Sequence, residues 1–585
     1  MNKKLICLLL SVLMLMSVVL TSCRRTSEDD AALDDISSEA SASAVTLAMY
    51  LMSESAVSAE QEAAIEKAVN DITKNKFKAK VDITYLTPDT YYTVLEENLK
   101  KQAENADLYF TDEEDVDGEP ETEKNEYGIE TLKYPALKPN QVDIFYFSGY
   151  DKYISYYNED YLNSLGSEVD GDAKALNSYL TPALLSYMRS VNGGLYAIPT
   201  NRPLGEYTYL LLNKEVLKTM YYDTENSAFT SLTCENVQDI LSYVVASGMT
   251  DDYVPLHSYT GELDVLNYQY WGVGENGLLS NKFSVLGGAI DPTWVFGAAN
   301  SYSPVNNIFD DPAFMSQLSV LNSYKQNGYY DPAAVAEGKP FAVGYVKGGA
   351  ELIEEYGDMY ELVPVAMPTL YTQDLYEHMF GVSAYSIELG RSMDIITYLN
   401  TNEEFRNLIL YGIEGENYEI IESSVCDANG DPYKQVKMLP NNTYHMDINK
   451  TGNTQLAYTM VGESPLLRVY TKQQNHDLKP AYSMGLSLDY DDLIIHAKYF
   501  QDIRKLSETM YTDLMNKLEN NELTEEYLST LSSSVRINGG MAFSHMMDVT
   551  AMSDTINQTE GCSFMYLYFQ WLEAKGLYIP PKEDE

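Results

Sequence analysis

The order of apolar segments in the first part of the chain constrains the fold more than any other feature. Three segments are β-prone and bounded by polar residues: 45–51 (VTLAMYL), 80–86 (KVDITYL) and 143–147 (DIFYF). Two segments with helical spacing lie between them. Ser58 caps the first, with Gln61 completing a capping box, and Pro88 starts the second. A β-α-β-α-β order predicts a parallel sheet of the doubly wound type.

The same alternation continues towards the carboxyl terminus. Further strands are predicted at 195–199 (LYAIP), 207–213 (YTYLLLN), 341–346 (FAVGYV), 361–368 (ELVPVAMP) and 379–387 (MFGVSAYSI). Residues 391–410 predict one long amphipathic helix, and the tail from residue 493 is mostly helical. A chain of 585 residues is expected to form two or more domains, each with its own core.

The charge balance excludes some classes of partner. Asp and Glu number 87 against 39 Lys and Arg, so the net charge is -48, which argues against nucleic acid as a ligand. It also argues against binding an anionic membrane through a basic patch. Residues 107–126 hold ten acids; we expect a solvated surface excursion there, with a calcium or partner site as the alternative. The 50 tyrosines suit a wet recognition surface.

The amino terminus predicts export. Lys3 and Lys4 precede an apolar run over 5–20, which is too short to span a membrane comfortably and reads as a signal h-region. Leu20-Thr21-Ser22-Cys23 resembles a bacterial lipobox, which implies cleavage after residue 22 and lipidation of Cys23. An ordinary secretory signal with a chance cysteine is the alternative. Residues 23–44 predict a disordered tether. Three distant cysteines remain, and we predict no disulfide and no metal site.

Several motifs, in their order along the chain, resemble the extracellular solute-binding lipoproteins of ABC importers, of the carbohydrate-binding family 1 of Gram-positive bacteria. They are 143–151 (DIFYFSGYD), 193–201 (GGLYAIPTN), 209–217 (YLLLNKEVL), 339–344 (KPFAVG), 363–368 (VPVAMP), 383–386 (SAYS), 451–453 (TGN) and 485–489 (GLSLD). The most specific is 411–418 (YGIEGENY), similar to the family's Tyr-Gly-x-Glu-Gly-x-x-Tyr signature. The chain departs from the family in its acidic insert and at Asn417, where the family often has histidine, so the solute preference does not transfer.

The resemblance implies an α/β, two-lobe, type II periplasmic-binding-protein-like fold, with a mostly parallel sheet in each lobe and a solute cleft between the lobes. Mapped on this chain, lobe 1 takes 45–203 with the insert 107–126, and lobe 2 takes 204–377. Residues 378–445 return to lobe 1 and the hinge, and 446–585 form mainly the helical end of lobe 2. The implied protein is a monomer that holds a sugar or oligosaccharide and meets the permease subunits of an ABC transporter. It has no cofactor, and it touches the membrane through its lipid anchor only, on the extracellular face of a cell that the family suggests is Gram-positive.

Ligand-binding candidates come from strand ends, from the segment expected to cross between the lobes, and from aromatic side chains in loops and in the 411–418 motif. Parallel sheets bind ligands at the carboxyl ends of their strands, which points to 52–55, 89–92 and 148–153. The candidates are Tyr150, Asp151, Asn201, Arg202, Trp271, Trp294 and Tyr411. Each has a structural alternative: a helix cap with a packed ring for Tyr150 and Asp151, a hinge ion pair for Arg202, core packing for the tryptophans, and a corner near the hinge for Tyr411 and Tyr418.

Enzymatic alternatives find little support in the motifs. Residues 272–277 read G-x-G-x-x-G, but no clear helix follows, as a dinucleotide site requires. The Asp427-x-Asn429-x-Asp431 pattern lacks the glycine and glutamate of a calcium loop, so a turn is expected. A surface glycosidase stays open, since 87 acids supply any carboxylate spacing, and a ligand-sensing receptor lipoprotein is a further alternative. We expect no catalytic activity.

Overall fold

The fold is taken from a computed structural model. It describes residues 43–109, 122–124, 130–189, 194–220, 237–258, 269–270, 272–273, 279–280, 282–288, 306–329, 338–481, 484, 490–520 and 522–547. Two compact units emerge. Unit 1 contains the described residues up to Ser148, Tyr156–Arg202 and His378–Arg468; unit 2 contains Gly149–Ser155, Pro203–Glu377 and the described residues from Val469 onwards. Residues 446–468, which the sequence-based division assigns to lobe 2, are therefore grouped with unit 1.

The strands fall into two main sheets and a smaller one. In chain order they are β1 (Val45–Met52), β2 (Ala79–Leu86), β3 (Ile144–Phe147), β4 (Ile198–Pro199), β5 (Tyr207–Asn213), β6 (Val254–Ser258), β7 (Phe341–Gly348), β8 (Tyr360–Ala366), β9 (Met379–Val382), β10 (Tyr418–Cys426), β11 (Pro432–Met438) and β12 (Thr459–Met460). Short pairings also involve Thr122–Lys124 with Glu130–Leu132, Gly272–Val273 with Leu279–Ser280, Leu286–Gly288 with Gln269–Tyr270 and Asn306–Asn307, and Thr369–Leu370 with Lys479–Pro480.

The sheet of unit 1 has the strand order β2-β1-β3-β9-β4. β1 pairs in parallel with β2 and β3, whereas β9 is antiparallel to β3 and β4. Among the described strands of this sheet, only β9 runs against the others. Its amino end therefore lies at the sheet edge where β1, β2, β3 and β4 have their carboxyl ends: Met379 is opposite both Phe147 and Pro199.

The main sheet of unit 2 follows the same rule. Its order is β8-β5-β7-β6, with β7 parallel to β6 and β5 antiparallel to both β7 and β8. In each sheet, the antiparallel strand is the one the chain enters after crossing from the other unit, at 202–203 before β5 and at 377–378 before β9. The predicted α/β class with mostly parallel sheets is confirmed.

The helices are α1 (Ala59–Phe77), α2 (Pro88–Glu104), α3 (Tyr150–Asn158), α4 (Gly166–Asp170), α5 (Leu176–Tyr179), α6 (Pro182–Met188), α7 (Lys214–Thr219), α8 (Gln238–Ala246), α9 (Pro312–Gln326), α10 (Leu352–Tyr356), α11 (Thr372–Leu375), α12 (Leu389–Thr401), α13 (Glu403–Tyr411), α14 (Leu467–Asp477), α15 (Tyr490–Glu519) and α16 (Glu525–Met547). Among the described residues, no helix is long and apolar enough to span a membrane.

Three predictions of local structure are wrong in detail. The helix predicted over 391–410 is two helices, because Asn402 leaves the helical conformation and its side chain caps α13 by accepting from the Phe405 N–H. The strand predicted over 379–387 ends at Val382. At α1, Ser58 does accept from the Gln61 N–H, but the Gln61 side chain accepts from Thr443 instead of closing a capping box.

Both units have their own apolar core, as a chain of this length requires. In unit 2, β5 and β7 bury Leu210, Leu212 and Val343 in a cluster that also contains residues of α15 and α16. In unit 1, β1 and β3 are buried along nearly their whole length, with Ile65 and Val69 of α1 also buried. Strands with few exposed positions are typical of parallel sheets covered by helices. Rigid strands of this kind fix the residues that follow their ends.

Candidate functional site

One edge of the unit 1 sheet gathers polar residues from distant parts of the sequence. Glu54 follows β1, Ser148 follows β3 and Arg202 lies three residues beyond β4. His378 immediately precedes the antiparallel strand β9, so it lies at the same edge. The Thr200 N–H donates to the His378 carbonyl at 2.8 Å and extends the pairing of β4 with β9. The carboxyl edge of a mostly parallel sheet is where ligands bind in α/β folds.

A later segment completes this group. Ser53 forms an antiparallel bridge with Met446, and the Glu54 N–H donates to the His445 carbonyl at 2.9 Å. Lys450 Nζ pairs with Glu54 Oε1 at 2.5 Å. Together these residues form what we call the carboxyl-edge cluster: Glu54, Tyr146, Ser148, Arg202, His378, Asp447 and Lys450.

Tyr146 and His378 are the closest pair within the cluster. The Tyr146 hydroxyl and His378 Nδ1 are 2.7 Å apart, and the two rings stack with centroids 6.0 Å apart. Tyr146 is buried in β3. The Tyr91 hydroxyl fixes its main chain, because that hydroxyl donates to the Tyr146 carbonyl and accepts from its N–H. The phenol therefore has a defined position from which it holds the imidazole.

The charges of the cluster nearly cancel. Burial, with Arg202 and Lys450 nearby, lowers the pKa of His378 to about 4, although Asp447 acts in the opposite direction. His378 is therefore neutral at pH 7, which leaves two cations, Arg202 and Lys450, against two carboxylates, Glu54 and Asp447. Burial also holds the pKa of the Tyr146 phenol well above its ordinary value. The edge thus presents many hydrogen-bonding groups and little net charge.

A buried arginine supports the segment that carries Asp447 and Lys450. Arg406 of α13 is fully buried, and its guanidinium donates to the carbonyls of Ile448 (2.8 Å) and Asn453 (3.1 Å). The Asn453 side chain in turn donates to the Asn400 carbonyl of α12 at 3.0 Å. Residues 447–453 are therefore anchored to two helices, which gives the cluster a rigid base.

Tyr150 and Asp151 begin α3, shortly after β3 ends at Phe147. Tyr150 is buried, and its ring meets that of Tyr376 edge-on with centroids 5.0 Å apart. Asp151 is exposed in the first turn of the helix. Gly149 adopts φ +101, which favours glycine, and its N–H donates to the Tyr376 carbonyl. Asp151 is thus accessible, whereas the Tyr150 ring is largely covered.

Asn201 and Arg202 differ in the same way. Asn201 is 4% exposed, and its side-chain amide accepts from Thr181 and donates to the Tyr179 carbonyl. Its own carbonyl accepts from the Thr454 N–H and hydroxyl. Arg202 is half-buried and belongs to the carboxyl-edge cluster. Of the two neighbours, Arg202 has the better placement for a ligand contact.

Tyr411 lies in the corner formed by the 411–418 motif. Its hydroxyl donates to the Tyr458 carbonyl at 2.8 Å, and its ring is 5.9 Å from that of Tyr418. Gly412 has φ +85, and a Cβ there would lie 2.5 Å from Asn417 Oδ1. The buried Asn417 side chain accepts from the Ile413 N–H and donates to Asn442. Within the described structure, the motif residues hold this corner together.

The remaining predicted sites fall elsewhere. Trp271, Trp294 and Cys23 lie outside the described residues, as does most of the acidic insert. Asp427 accepts from the N–H groups of Asn429 and Asp431 in the turn between β10 and β11. No group of three or more potential metal ligands occurs among the residues that the structure describes.

Sequence reasoning identified part of the cluster. The strand-end rule pointed to 52–55 and 148–153, which contain Glu54 and Ser148. Tyr146, His378, Asp447 and Lys450 were not singled out. His378 could have been found from the start of its predicted strand, had that strand been recognised as antiparallel. No local signal marks Asp447 or Lys450, because a long-range bridge brings them to β1.

No protein-family profile matches the chain. It is 23% identical over 338 residues to the carbohydrate ABC transporter substrate-binding protein of Streptococcus pneumoniae serotype 4, a match covering 55% of this chain and 62% of the relative. The chain thus spans about three fifths of the length of the curated relative it matches.

Solved structures with detectable likeness have low identity. One is the N-glycan transport solute binding protein NgtS from Streptococcus pneumoniae, with 18% identity, 84% of this chain and 98% of that chain covered, and a TM-score of 0.45. Another is the extracellular solute-binding protein family 1 from Alicyclobacillus acidocaldarius, with 12% identity, coverage of 85% and 98%, and a TM-score of 0.42. The resemblance to carbohydrate-type solute-binding proteins of ABC importers, which the sequence motifs indicate, is confirmed by the curated relative.

Proposed function

We propose that the protein is an extracellular solute-binding protein that captures a sugar or oligosaccharide and delivers it to the permease subunits of an ABC transporter. The observation that carries the proposal is the carboxyl-edge cluster, where charged and hydroxyl side chains converge with nearly balanced charge. A neutral, hydroxyl-rich solute can satisfy such groups, whereas an ionic solute requires an uncompensated opposite charge. The relative from Streptococcus pneumoniae, whose name includes carbohydrate transport, supports the same class of ligand.

Calorimetry and thermal-shift measurements on the chain truncated before residue 24 test the proposal. The probes are maltose, Man5GlcNAc and cycloalternan, with single amino acids and a short peptide as the comparison. Saturable binding of a glycan without product formation is the expected result. Turnover of a glycan would favour the glycosidase alternative, and a melting shift with peptides or amino acids only would exclude a carbohydrate importer.

Arg202 offers the sharpest substitution. Arg202→Ala should weaken glycan binding by about 1.5–3 kcal/mol, the range for hydrogen bonds to charged groups. Arg189→Ala is the matched control, because Arg189 is also in unit 1 but lies outside the carboxyl-edge cluster, where it pairs with Asp170 at 2.8 Å. Equal affinities of the two variants would remove Arg202 from the binding site.

The other predicted contacts remain part of the proposal. Asp151→Asn tests the exposed carboxylate of α3, and Tyr150→Phe and Asn201→Asp test side chains engaged within the fold. Tyr411→Phe removes the hydroxyl that reaches the Tyr458 carbonyl. For Trp271 and Trp294, replacement by Ala should weaken binding by about 1–3 kcal/mol if the ring stacks on the solute, with aromatic–base stacking as a guide.

We further propose that Cys23 carries a lipid that holds the protein on the extracellular face of the membrane. The lipobox-like segment and the apolar run before it support this proposal. Full-length protein from a Gram-positive host should partition into the detergent phase of Triton X-114, and Cys23→Ala should move it to the aqueous phase. Cys426→Ala, which removes an exposed free thiol of β10, is the control.

A further inference from the structure

Tyr146 has a hydrogen bond on each side of its hydroxyl. The Ser148 side chain forms a hydrogen bond with the Tyr146 hydroxyl. On the other side is His378 Nδ1, at 2.7 Å. A phenol has one proton to donate. An imidazole nitrogen is a stronger acceptor than a serine hydroxyl, so the phenol proton goes to Nδ1 and the Ser148 hydroxyl donates to the phenol oxygen.

The surroundings keep the imidazole uncharged. The charged groups that face His378 are Arg202 and Lys450, which disfavour an additional proton, and Asp447, which favours one. Burial disfavours the imidazolium as well, and it is the largest effect. A neutral imidazole that accepts at Nδ1 must carry its proton on Nε2.

Nε2 is then a donor that has no hydrogen-bond partner among the described residues. Tyr146 is the hydrogen-bond partner of the His378 ring among the described residues, and it contacts Nδ1. His378 is only half-buried, and its Nε2 is not enclosed by the described part of the protein. The Nε2–H therefore remains available within a cluster that is otherwise arranged in ion pairs and hydrogen bonds.

We propose that Ser148, Tyr146 and His378 form a hydrogen-bond relay that fixes the His378 ring as a neutral Nε2–H donor, and that this donor selects an acceptor oxygen of the solute. The role of His378 as a donor to the solute rests on the proposed function, whereas the relay within the protein does not. Suitable groups are a sugar hydroxyl, a ring or glycosidic oxygen, or an acetamido carbonyl. An ammonium group, which only donates, is rejected at this position.

Long-range ¹H–¹⁵N correlation spectra of histidine-labelled protein test the relay directly. The chain has six histidines, and His378→Gln assigns the signal of interest. At pH 7, His378 should show the Nε2–H tautomer. Tyr146→Phe removes the donor to Nδ1 but keeps the buried ring, so the tautomers should mix and the pKa of His378 should rise. A dominant Nδ1–H form, or a Tyr146→Phe spectrum equal to the wild type, overturns the relay.

Tyr444→Phe is the matched control. Tyr444 is another buried tyrosine of unit 1, whose hydroxyl donates to the Ile409 carbonyl at 2.6 Å. It should leave the tautomer of His378 unchanged while producing the generic effect of losing a buried hydroxyl. If Tyr444→Phe changes the His378 signals as much as Tyr146→Phe does, the effect is structural and the relay is excluded.

Titration with maltose, Man5GlcNAc and cycloalternan tests the donor. A glycan that binds should shift the His378 Nε2 resonance, and His378→Phe should weaken its binding about three- to tenfold, as expected for one neutral hydrogen bond. A glycan that binds without moving Nε2 overturns the role of His378 as a donor. Absence of binding by all three glycans overturns the proposed role in the solute site, while the tautomer measurement decides the relay independently.

Discussion

Asp143 shows how strongly one residue can bind the sheet of unit 1 together. It lies just before β3 and is fully buried. One carboxylate oxygen accepts from the Ala48 N–H and the Gln141 amide, at 2.8 and 2.6 Å. The other accepts from the Ser386 hydroxyl and the Ile387 N–H, at 2.6 and 3.0 Å. The side chain thus connects β1, β3 and the segment after β9.

Asp143→Asn should lower the free energy of unfolding by about 1–3 kcal/mol. The asparagine offers one acceptor oxygen to four donors, and its NH₂ group faces two of them. Urea denaturation of both proteins measures the difference. Asp71→Asn, which removes an exposed ion pair with Lys67, should change stability by about 0.5 kcal/mol or less. Comparable losses in the two variants would contradict the structural role of Asp143.

Asp394 of α12 has a different environment, in which its charge is disfavoured. Burial raises the pKa of Asp394 to about 7, and the neighbouring Asp172 adds to the effect. Arg391 opposes it, and Glu168 and Glu388 add smaller increases. Its pKa in the unfolded chain is about 4. Between these values the folded protein holds a proton that the unfolded chain has lost, so the free energy of unfolding falls as the pH rises from about 4 to 7.

Asp394→Asn should remove this part of the pH dependence. The variant should be no less stable than the wild type near pH 5, and more stable than the wild type at about pH 8, because the amide cannot ionise. Urea midpoints measured across this range, with the exposed Asp502→Asn of α15 as the control, provide the test. Parallel pH profiles for wild type and Asp394→Asn would show that Asp394 is not the titrating group.

At the scale of elements, the structure of the 411–418 corner shows why this chain needs a glycine at 412 and a polar side chain at 417. Gly412 combines a positive φ with a close approach to the Asn417 side chain. That asparagine connects the start of the corner to a later segment, because its side chain accepts from the Ile413 N–H and donates to Asn442. The corner leads from α13 into β10, and α13 also carries Arg406, which anchors the segment of Asp447 and Lys450.

Gly412→Ala should destabilise the protein by about 1–3 kcal/mol, since a Cβ would both strain the backbone and meet Asn417. Gly390→Ala is the control: this glycine lies in the first turn of α12, and nothing lies within 4 Å of the added Cβ. We expect the control to be neutral or slightly stabilising, by up to about 1 kcal/mol. Thermal unfolding followed by circular dichroism compares the two. Equal melting temperatures for Gly412→Ala and wild type would refute the tight corner.

Sequence patterns predicted the elements better than the site. β1 and β5 were found almost to the residue, because continuous apolar runs bounded by polar residues mark buried strands. The break between α12 and α13 at Asn402 was not predicted, because the helical spacing of apolar residues continues across it. The clustering of His378 and Arg202 depends on an antiparallel strand within a mostly parallel sheet, and only pairing shows that. Asn201 and Tyr411 shared the residue types of ligand contacts, yet their polar atoms are engaged within the fold.

For the whole molecule, the dominant property is charge. The net charge of -48 exceeds in magnitude the total number of Lys and Arg residues, so most carboxylates have no basic side chain to pair with. Removal of the predicted signal, with Lys3 and Lys4, would make the mature chain two charges more negative. Such repulsion keeps a protein soluble and away from anionic lipid, but it opposes the compact state. The proposed capture of a carbohydrate is compatible with this acidic surface, because the positive and negative side chains of the carboxyl-edge cluster balance and leave it almost no net charge.

The truncated chain should therefore become more stable as salt is added. Raising the ionic strength from about 0.01 M to 0.1 M shortens the Debye length from about 30 Å to 10 Å, which screens repulsion between distant carboxylates. A gain of about 1 kcal/mol corresponds to roughly 2–4 °C in melting temperature for units of this size. Differential scanning calorimetry in sodium chloride measures it. Choline chloride at equal ionic strength should give the same increase if screening is the cause. An increase with sodium alone would instead indicate a specific cation site, and a melting temperature independent of both salts would show that the carboxylates are too dispersed to destabilise the fold.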